Sequence, residues 1–290
     1  MGDLRIGDIV ARKSYGGDIL FKITDIKSNG KENIITLKGV TYRIQADAPE
    51  TDLMTPSRER IDEHHKKCCI KVDRKLKEIE SYARGDLKKA FFRSTSKEGA
   101  VKFPKPGKIL HVDGDNDYLE NCMSRYKKLK LDVVGKYITE KDQPSSIGRL
   151  LREVKPDILV LTGHDGVLKG ENNYSKLDNY RNSRYFIEAV KEARKYEDDL
   201  DSLVIFAGAC QSMYNGIIGA GANFASSPYR VLIHALDPVI VAQKIALTSI
   251  NNVIEPTEVI NSTITGVEGI GGLQTRGKYR NGFPLEPYSN

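Results

Sequence analysis

Two apolar segments of the chain each end in small residues that are followed by one reactive side chain. Residues 203–207 run into Gly-Ala-Cys210, and residues 158–162 run into Gly-His164. Unbroken apolar runs of this length, bounded by glycine, are typical of buried strands in a parallel sheet. Because the carboxyl ends of parallel strands lie at the edge where open α/β sheets hold their ligands, we expect His164 and Cys210 to meet there.

Apolar runs and amphipathic helical patterns alternate from residue 108 onward. The periodicity predicts strands at 109–112, 131–138, 157–163, 203–208 and 229–236, and helices at about 118–129, 145–154, 184–196 and 237–250. This alternation indicates a mostly parallel sheet that is covered by helices on both faces. The sequence therefore predicts an α/β domain at 108–290.

The chain before this domain divides into two parts. Residues 1–53 contain short alternating runs separated by turns, which predicts a small β-barrel resembling SH3-like or KOW modules. Residues 54–107 form a predicted helical, basic linker with a helix from about 57 to 83. One narrow apolar stripe marks this helix, at Ile61, Cys68, Val72, Leu76 and Ile79. For the barrel, a docking role is favoured over nucleic-acid binding, and its ligand is left open.

Composition narrows the function classes. The chain has 45 basic and 39 acidic residues, a net charge of +6 and no tryptophan, which does not indicate a nucleic-acid partner. There is no apolar signal core and no run near the ~20 residues of a membrane span, so we expect a cytoplasmic protein without a membrane partner. The cysteines are Cys68, Cys69, Cys122 and Cys210. They lack the spacing of a metal site, so we expect free thiols and neither metal nor organic cofactor.

A cysteine that precedes a helix is a candidate nucleophile, because backbone N–H groups and the helix dipole lower the pKa of its thiol. We therefore predict Cys210 as the nucleophile and His164 as the general acid and base. The backbone N–H groups of Cys210 and Gly166 are candidates for an oxyanion hole. His111 and His234 fall within predicted strands, where packing is the favoured interpretation.

The two strand ends resemble those of caspase-like cysteine peptidases, a group that includes clostripain, gingipains, legumain and metacaspases. His164 and Cys210 are 210 − 164 = 46 residues apart, close to the ~50 residues of caspases. The resemblance implies a caspase-like fold. Asp165 departs from the group because it separates His164 from Gly166, and Gly208 and Ser212 stand where caspases have glutamine and glycine. Clostripain-like enzymes have an aspartate at the position of Gly208.

A wider set of motifs resembles a family of sporulation-specific proteases over nearly the whole chain. The motifs are HVDGD at 111–115, LTGHDG at 161–166, NYRNS at 179–183, FAGACQS at 206–212, AGANFASSP at 220–228 and IHALDP at 233–238. The resemblance implies a cysteine endopeptidase of the sporulating mother cell that associates with the spore coat. It further implies protein substrates among coat and cortex-associated proteins, cut after arginine.

An arginine-binding pocket needs a buried carboxylate that pairs with the guanidinium. Asp113 and Asp115 follow the first predicted strand of the α/β domain, and Asp237 follows the fifth. These three are the candidate substrate-binding residues, and for Asp237 a helix-capping role is an equal alternative.

Two other functions fit the same residues. An amidase resembling glutamine amidotransferases would also use a cysteine and a histidine on an α/β sheet, and a non-catalytic coat scaffold would keep Cys210 buried. The basic stretch around Arg93, which we expect to be exposed, is a candidate site of self-cleavage, and the oligomeric state is left open.

Overall fold

The computed structural model describes residues 4–28, 32–92 and 103–283. Its first part is a five-stranded antiparallel sheet with the strand order β4-β3-β2-β1-β5. The strands are β1 (Ile9–Arg12), β2 (Leu20–Ser28), β3 (Asn33–Gly39), β4 (Gln45–Pro49) and β5 (Leu53–Met54). Alternate side chains of these strands form one buried cluster that includes Val10, Phe21, Ile23, Ile35 and Leu37. The N-terminal region is all-β, as predicted, while its closure as an SH3-like or KOW-like barrel stays a prediction.

Helix α1 (Arg58–Phe92) is longer than the predicted helix and packs on the α/β region. Val72, Leu76 and Ile79 of the predicted stripe are buried there, in the cluster that also contains side chains of the helix beginning at Asp237. Most other exposed residues in the described part of the helix are charged, although Cys69 and Ile70 are also exposed, so the apolar contact of α1 with the α/β region is confined to this stripe. Most of the predicted tether after this helix lies outside the described residues.

The α/β region contains a six-stranded sheet with the order β13-β11-β10-β9-β7-β8. Its strands are β7 (Ile109–Asp113), β8 (Val133–Tyr137), β9 (Ile158–Thr162), β10 (Val204–Ala207), β11 (Phe224–Ser226) and β13 (Ile270–Gly272). All neighbouring pairs are parallel except β11 and β13. Short pairs at the margin are β6 (Phe103–Lys105) with β15 (Arg280–Gly282) and β12 (Val253–Ile254) with β14 (Thr275–Arg276).

Helices cover both faces of this sheet. They are α2 (Asn116–Lys128), α3 (Gln143–Val154), α4 (Ser183–Tyr196), α5 (Tyr214–Gly219), α6 (Asp237–Leu247) and α7 (Pro256–Ser262). Because strand side chains alternate between faces, Ile158 and Val160 of β9 face α1, α2 and α6, whereas Leu159 and Leu161 face α3 and α4. The predicted parallel sheet between two helical layers is confirmed. No helix in the described ranges is long and apolar enough to cross a bilayer.

The strand predicted at 229–236 is wrong. The place beside β10 belongs to β11, and residues 229–236 form an irregular segment whose only described ladder contact is an antiparallel bridge from His234 to Tyr42. Ile233 and Ala235 are buried all the same, because residues 41–43 of the N-terminal region cover them. The apolar run therefore reflects burial between two parts of the chain instead of a place in the sheet.

Candidate active site

Three neighbouring strands deliver the predicted residues to one edge of the sheet. In the ladder, Asp113 at the end of β7 is opposite Thr162 of β9, and Leu161 is opposite Ala207 of β10. His164 and Cys210 therefore follow the ends of adjacent strands at the same edge of the sheet, and each lies three positions after a residue of the pair Leu161 and Ala207. This arrangement follows directly from the parallel register of β7, β9 and β10.

The imidazole of His164 is held by Asp115. His164 Nε2 lies 2.8 Å from Asp115 Oδ2, and Lys38 Nζ lies 2.5 Å from Asp115 Oδ1. Burial raises the pKa of Asp115, but the hydrogen bonds from His164 and Lys38 outweigh burial and hold it at about 2. Since an ionised carboxylate only accepts hydrogen bonds, Nε2 carries the proton. Nδ1 of His164 is then an acceptor, and it is buried with no partner among the described residues.

The backbone of the His164 loop is fixed from two sides. Its N–H donates to Glu140 Oε1 at 2.6 Å, and its carbonyl accepts from Asn182 Nδ2 at 2.9 Å. The Glu140 carboxylate fits only because Gly114 and Gly163 lack side chains: a Cβ at either position would lie 2.3 or 2.2 Å from Glu140 Oε1. The loops that contain Gly114, Glu140 and Asn182 therefore fix the position of the imidazole.

Asp165, which separates His164 from Gly166, has a structural role in the loop. Its Oδ1 accepts hydrogen bonds from the backbone N–H groups of Gly166 and Asn182, both at 2.8 Å, and Ser183 Oγ donates to its Oδ2. Burial raises the pKa of this carboxyl group. The N–H of Gly166, which was predicted to bind an oxyanion, is therefore paired with Asp165.

The thiol of Cys210 is covered. The residue is 1% exposed, and the N–H of Ile233 lies 3.2 Å from its Sγ. Burial raises the pKa of this thiol to about 12, although backbone N–H groups of Ile233 and Arg43 act in the opposite direction. Helix α5 begins only at Tyr214, so the expected helix N-terminus does not directly follow the cysteine. Gly208 has a φ of 112°, which turns the chain sharply just before the thiol.

The cover consists of residues 41–43, between β3 and β4. Arg43 N–H donates to Ile233 O at 3.2 Å, Ala235 N–H donates to Thr41 O at 2.9 Å, and Tyr42 bridges to His234 between them. These residues thus lie antiparallel to 233–235, as an added strand does.

Arg43 inserts its side chain below this cover. Its Nη2 lies 2.7 Å from Asp113 Oδ2, and both side chains are 0% exposed. The guanidinium also lies 5.0 Å from the ring centre of Tyr118 and 3.5 Å from Cys122 Sγ. Burial lowers the pKa of Arg43 and raises that of Asp113, but their mutual attraction outweighs burial in both, so the pair stays ionised.

The three predicted substrate-binding carboxylates therefore have three different surroundings. Asp113 forms an ion pair with the guanidinium of Arg43, and Asp115 contacts the imidazole of His164. Asp237 is fully buried and accepts hydrogen bonds from the N–H of Ile264 at 2.7 Å and from Thr265. Burial raises the pKa of Asp237. Its contacts hold the loop after α7 and do not involve an arginine.

An open cavity of about 370 Å³ adjoins the imidazole. Its lining includes Lys38, Gln45, Asp115, Glu140, His164 and Arg181. The cavity is polar and mixed in charge, and it lies where the chain continues past Arg43 into β4.

A family model described as YabG peptidase U57 matches residues 5–284. The chain belongs to this family. The Sporulation-specific protease YabG of Bacillus subtilis (strain 168) is 43% identical to it over 289 residues, which is 97% of this chain and 98% of that protein. No solved structure matches the chain. The protein is thus a peptidase, and this relative links the YabG family to sporulation.

The site of this YabG peptidase family member includes residues that sequence reasoning missed. They are Arg43 and Lys38, which are far in sequence from the strand ends, and Tyr118, while the partner of His164 was assigned to substrate binding. The position of Tyr118 could have indicated that it lies near the site, since it is on the helix that follows the HVDGD motif. No sequence signal indicated Arg43, because residues 41–44 fit the strand pattern predicted for the N-terminal region.

Proposed function

We propose that this protein is a cysteine endopeptidase that cuts after arginine, with Cys210 as the nucleophile and His164 as the general acid and base. One observation carries the proposal: the guanidinium of Arg43 is paired with Asp113 in a buried pocket, on a backbone that runs beside Cys210. An arginine in this position supports a preference of the pocket for arginine.

His164 is suited to proton transfer because its two nitrogens have different surroundings. Nε2 is bound to the ionised Asp115, which fixes the tautomer and stabilises the imidazolium once it forms. Nδ1 is an acceptor without a partner among the described residues, so it is free to receive a proton from the thiol.

The proposed reaction has two halves. The Cys210 thiolate attacks the carbonyl carbon of the arginine residue, a carbon–sulfur bond forms, and the peptide carbon–nitrogen bond breaks as the imidazolium of His164 protonates the leaving amine. His164 then takes a proton from water, which attacks the thioester and releases the carboxylate product and the thiol. Metal and organic cofactors have no role in either half.

The proposed oxyanion hole consists of the backbone N–H groups of Cys210 and Gly166. The N–H of Gly166 has to leave Asp165 Oδ1 before it can reach the substrate oxygen. We expect the hydrogen bond from Gly166 N–H to Asp165 to break when a substrate binds in the cavity beside this loop.

Arginine selectivity is assigned to Asp113. Its Oδ2 faces the guanidinium and its Oδ1 accepts the N–H of Asp115 at 3.0 Å, which fixes the carboxylate plane. The ring of Tyr118 adds a cation–π contact that favours a planar guanidinium. A buried, ionised carboxylate rejects uncharged side chains because its own charge is then left unpaired. Asp115 has a positioning role, and Asp237 has a structural one.

The substrates proposed for this activity are spore coat and cortex-associated proteins, cut in the mother cell. The relative in Bacillus subtilis is named a sporulation-specific protease, which supports that setting. An extended segment with an arginine is the chemistry that fits, because residues 233–235 offer backbone groups to a strand and Asp113 offers a charge to its side chain.

The test uses a fluorogenic peptide with arginine before the scissile bond and the reduced, full-length protein. We expect turnover by the wild type and by Cys69→Ala, whose thiol is exposed and outside the site. We expect no turnover by Cys210→Ala and at least a 100-fold loss in His164→Ala. Peptide cleavage by Cys210→Ala would overturn the proposal, and hydrolysis of free glutamine without peptide cleavage would favour the amidase alternative.

A further inference from the structure

We infer that Arg230 binds an acidic side chain of the substrate, at one of the three residues that follow the scissile bond. The inference rests on the proposed function and adds a specificity-determining subsite to it. The site is a second open cavity, of about 380 Å³, at the same edge of the sheet. We refer to it as the Arg230 cavity, and its lining includes Tyr174, Tyr180, Ser212, Tyr214, Ser227 and Arg230.

The chemistry of the lining is the first observation. Hydroxyl groups of tyrosine and serine surround the guanidinium of Arg230, and no acidic residue of the described ranges lines the cavity. The cavity beside His164 differs, because Asp115 and Glu140 line it together with two basic residues. The Arg230 cavity therefore attracts an anion, and its hydroxyl groups can donate hydrogen bonds to one.

The orientation of the guanidinium is the second observation. Its central carbon lies over the ring of Tyr174, 3.9 Å from the ring centre. A guanidinium that stacks on a ring in this way keeps the N–H groups at its edge available. Within the part of the chain that the structure describes, the side chain of Arg230 forms no ion pair and donates no hydrogen bond. Its planar N–H groups are therefore open to a carboxylate.

The ring beneath the guanidinium is held by its own loop. Tyr180 Oη donates to Tyr174 O at 2.8 Å, and Asn179 Nδ2 donates to Asn173 O at 2.9 Å. Tyr180 and Asn179 are buried, whereas residues 173 and 174 are exposed. The buried pair thus fixes the exposed pair, and the positioned ring of Tyr174 favours one orientation of the arginine that stacks on it.

The backbone around the cavity is the third observation. Gln211, Ser227 and Arg230 have φ values of 58°, 66° and 55°, in the left-handed region that is unfavourable for residues other than glycine. Ser227 Oγ accepts the N–H of Gln211 at 3.0 Å and donates to Val231 O at 2.8 Å. These bonds tie the turn that carries Arg230 to the residue next to Cys210. Strained backbone of this kind is typical of functional sites.

The direction of a bound substrate is the fourth observation. Residues 41–43 lie antiparallel to 233–235, with Arg43 opposite Ile233. A substrate whose arginine binds in the same way continues, after the scissile bond, past residues 232, 231 and 230. Three extended residues span about 10 Å. A side chain within three residues of the bond can therefore reach Arg230.

The two cavities are neighbours along this path. Tyr180 lines the Arg230 cavity, and the next residue, Arg181, lines the cavity beside His164, where the leaving amine receives its proton. The cover at 41–43 contributes no residue to the lining of the Arg230 cavity. An acidic side chain can therefore bind there before the cover moves, and it places the segment after the scissile bond close to the imidazole.

The experiment measures kcat/KM of the reduced, full-length protein for peptides with arginine before the scissile bond. Each peptide has glutamate or glutamine at the first, second or third position after the bond. At one of these positions we expect glutamate to be favoured about fivefold, mainly through KM, because an exposed ion pair contributes modestly. The preference is lost in Arg230→Gln and weakens in high salt. Arg184→Gln keeps it, since that guanidinium pairs with Asp178 and does not line the cavity.

Charge reversal distinguishes a direct contact from a loss of structure. We expect Arg230→Glu to favour lysine over glutamine about fivefold at the position where the wild type favours glutamate. Equal rates for glutamate and glutamine at all three positions in the wild type overturn the inference and leave the proposed function intact. A glutamate preference that persists in Arg230→Gln does the same. A wild type that cleaves none of these peptides overturns both.

Discussion

The guanidinium of Arg43 and the carboxylate of Asp113 are 2.7 Å apart, and neither is exposed to solvent. Arg43 lies in the loop between β3 and β4 of the N-terminal sheet, and Asp113 ends strand β7 of the largely parallel sheet. This ion pair links the cover of the thiol to the end of strand β7. The same contact holds the cover over Cys210 and fills the proposed arginine pocket.

Replacement of Asp113 by Asn tests the pocket. We expect kcat/KM for arginine peptides to fall about 100- to 1,000-fold, with a much smaller change for glutamine in the same position, because the charge that pairs with the guanidinium is gone. Asp117→Asn, an exposed carboxylate nearby, leaves the preference for arginine unchanged. Equal losses for arginine and glutamine peptides would contradict the assignment.

The ion pair of Arg43 with Asp113 also affects the free energy of unfolding. This is measured best in the Cys210→Ala chain, because that chain lacks the proposed nucleophile and does not cleave itself. Asp113→Asn leaves the Arg43 charge buried and unpaired, so we expect about 3 kcal/mol of lost unfolding free energy in urea. Adding Arg43→Met removes the unpaired charge and restores most of that loss. If the second change gives no recovery, the ion pair does not account for the loss.

The contact of Asp115 with His164 predicts a positioning effect. Asp115→Asn removes the negative charge that stabilises the imidazolium and permits the other tautomer, so we expect kcat to fall about 100-fold with little change in KM and with an altered pH profile. Asp117→Asn is the matched control, since Asp117 also contacts Lys38 but not the imidazole. Similar kinetics of the two variants would show that the loss came from Lys38.

Thiol labelling tests the cover. Cys69 is exposed, whereas Cys210 is buried and the pKa of its thiol is raised to about 12. In the wild-type chain, we expect iodoacetamide at neutral pH to modify Cys69 at least 100-fold faster than Cys210. In Arg43→Ala, Cys210 becomes reactive because the segment above it is no longer held by the ion pair with Asp113. Mass spectrometry of the labelled peptides measures both rates, and fast labelling of Cys210 in the wild type would contradict the covered state.

Acid sensitivity follows from His234. Burial, followed by nearby cationic groups on Lys71, Arg43 and Arg125, lowers the pKa of His234 to about 3. Since an unfolded histidine titrates near 6.5, the unfolded chain binds more protons between these values, and stability falls as the pH drops from about 6.5 towards 3.

We expect the Cys210→Ala chain to lose about 2 kcal/mol of unfolding free energy in urea between pH 7 and pH 5 through this residue. His234→Gln reduces that loss, whereas His65→Gln, at an exposed site on α1, does not. A loss that is the same in all three chains would assign the acid sensitivity to other groups.

Much of the α/β region was predictable, because apolar runs and helical periods are local properties of the sequence. The runs before His164 and Cys210 are strands β9 and β10, and the stripe of Val72, Leu76 and Ile79 is buried. The prediction was wrong at 229–236, since an apolar run records burial but not the partner that causes it. Here the partner is the loop at 41–43.

The sequence by itself determined which strands carry Asp113, His164 and Cys210 to one edge, since parallel strands separated by helices share the direction of their ends. Only the tertiary structure decided the roles of the carboxylates and the position of Arg43. Asp113 is the last residue of β7, whereas Asp115 lies beyond the strand at the N-cap of α2, so one carboxylate contacts the guanidinium and the other contacts the imidazole. Arg43 reaches Asp113 because the N-terminal sheet docks on the α/β region, and such docking depends on contacts between distant segments that no local pattern records.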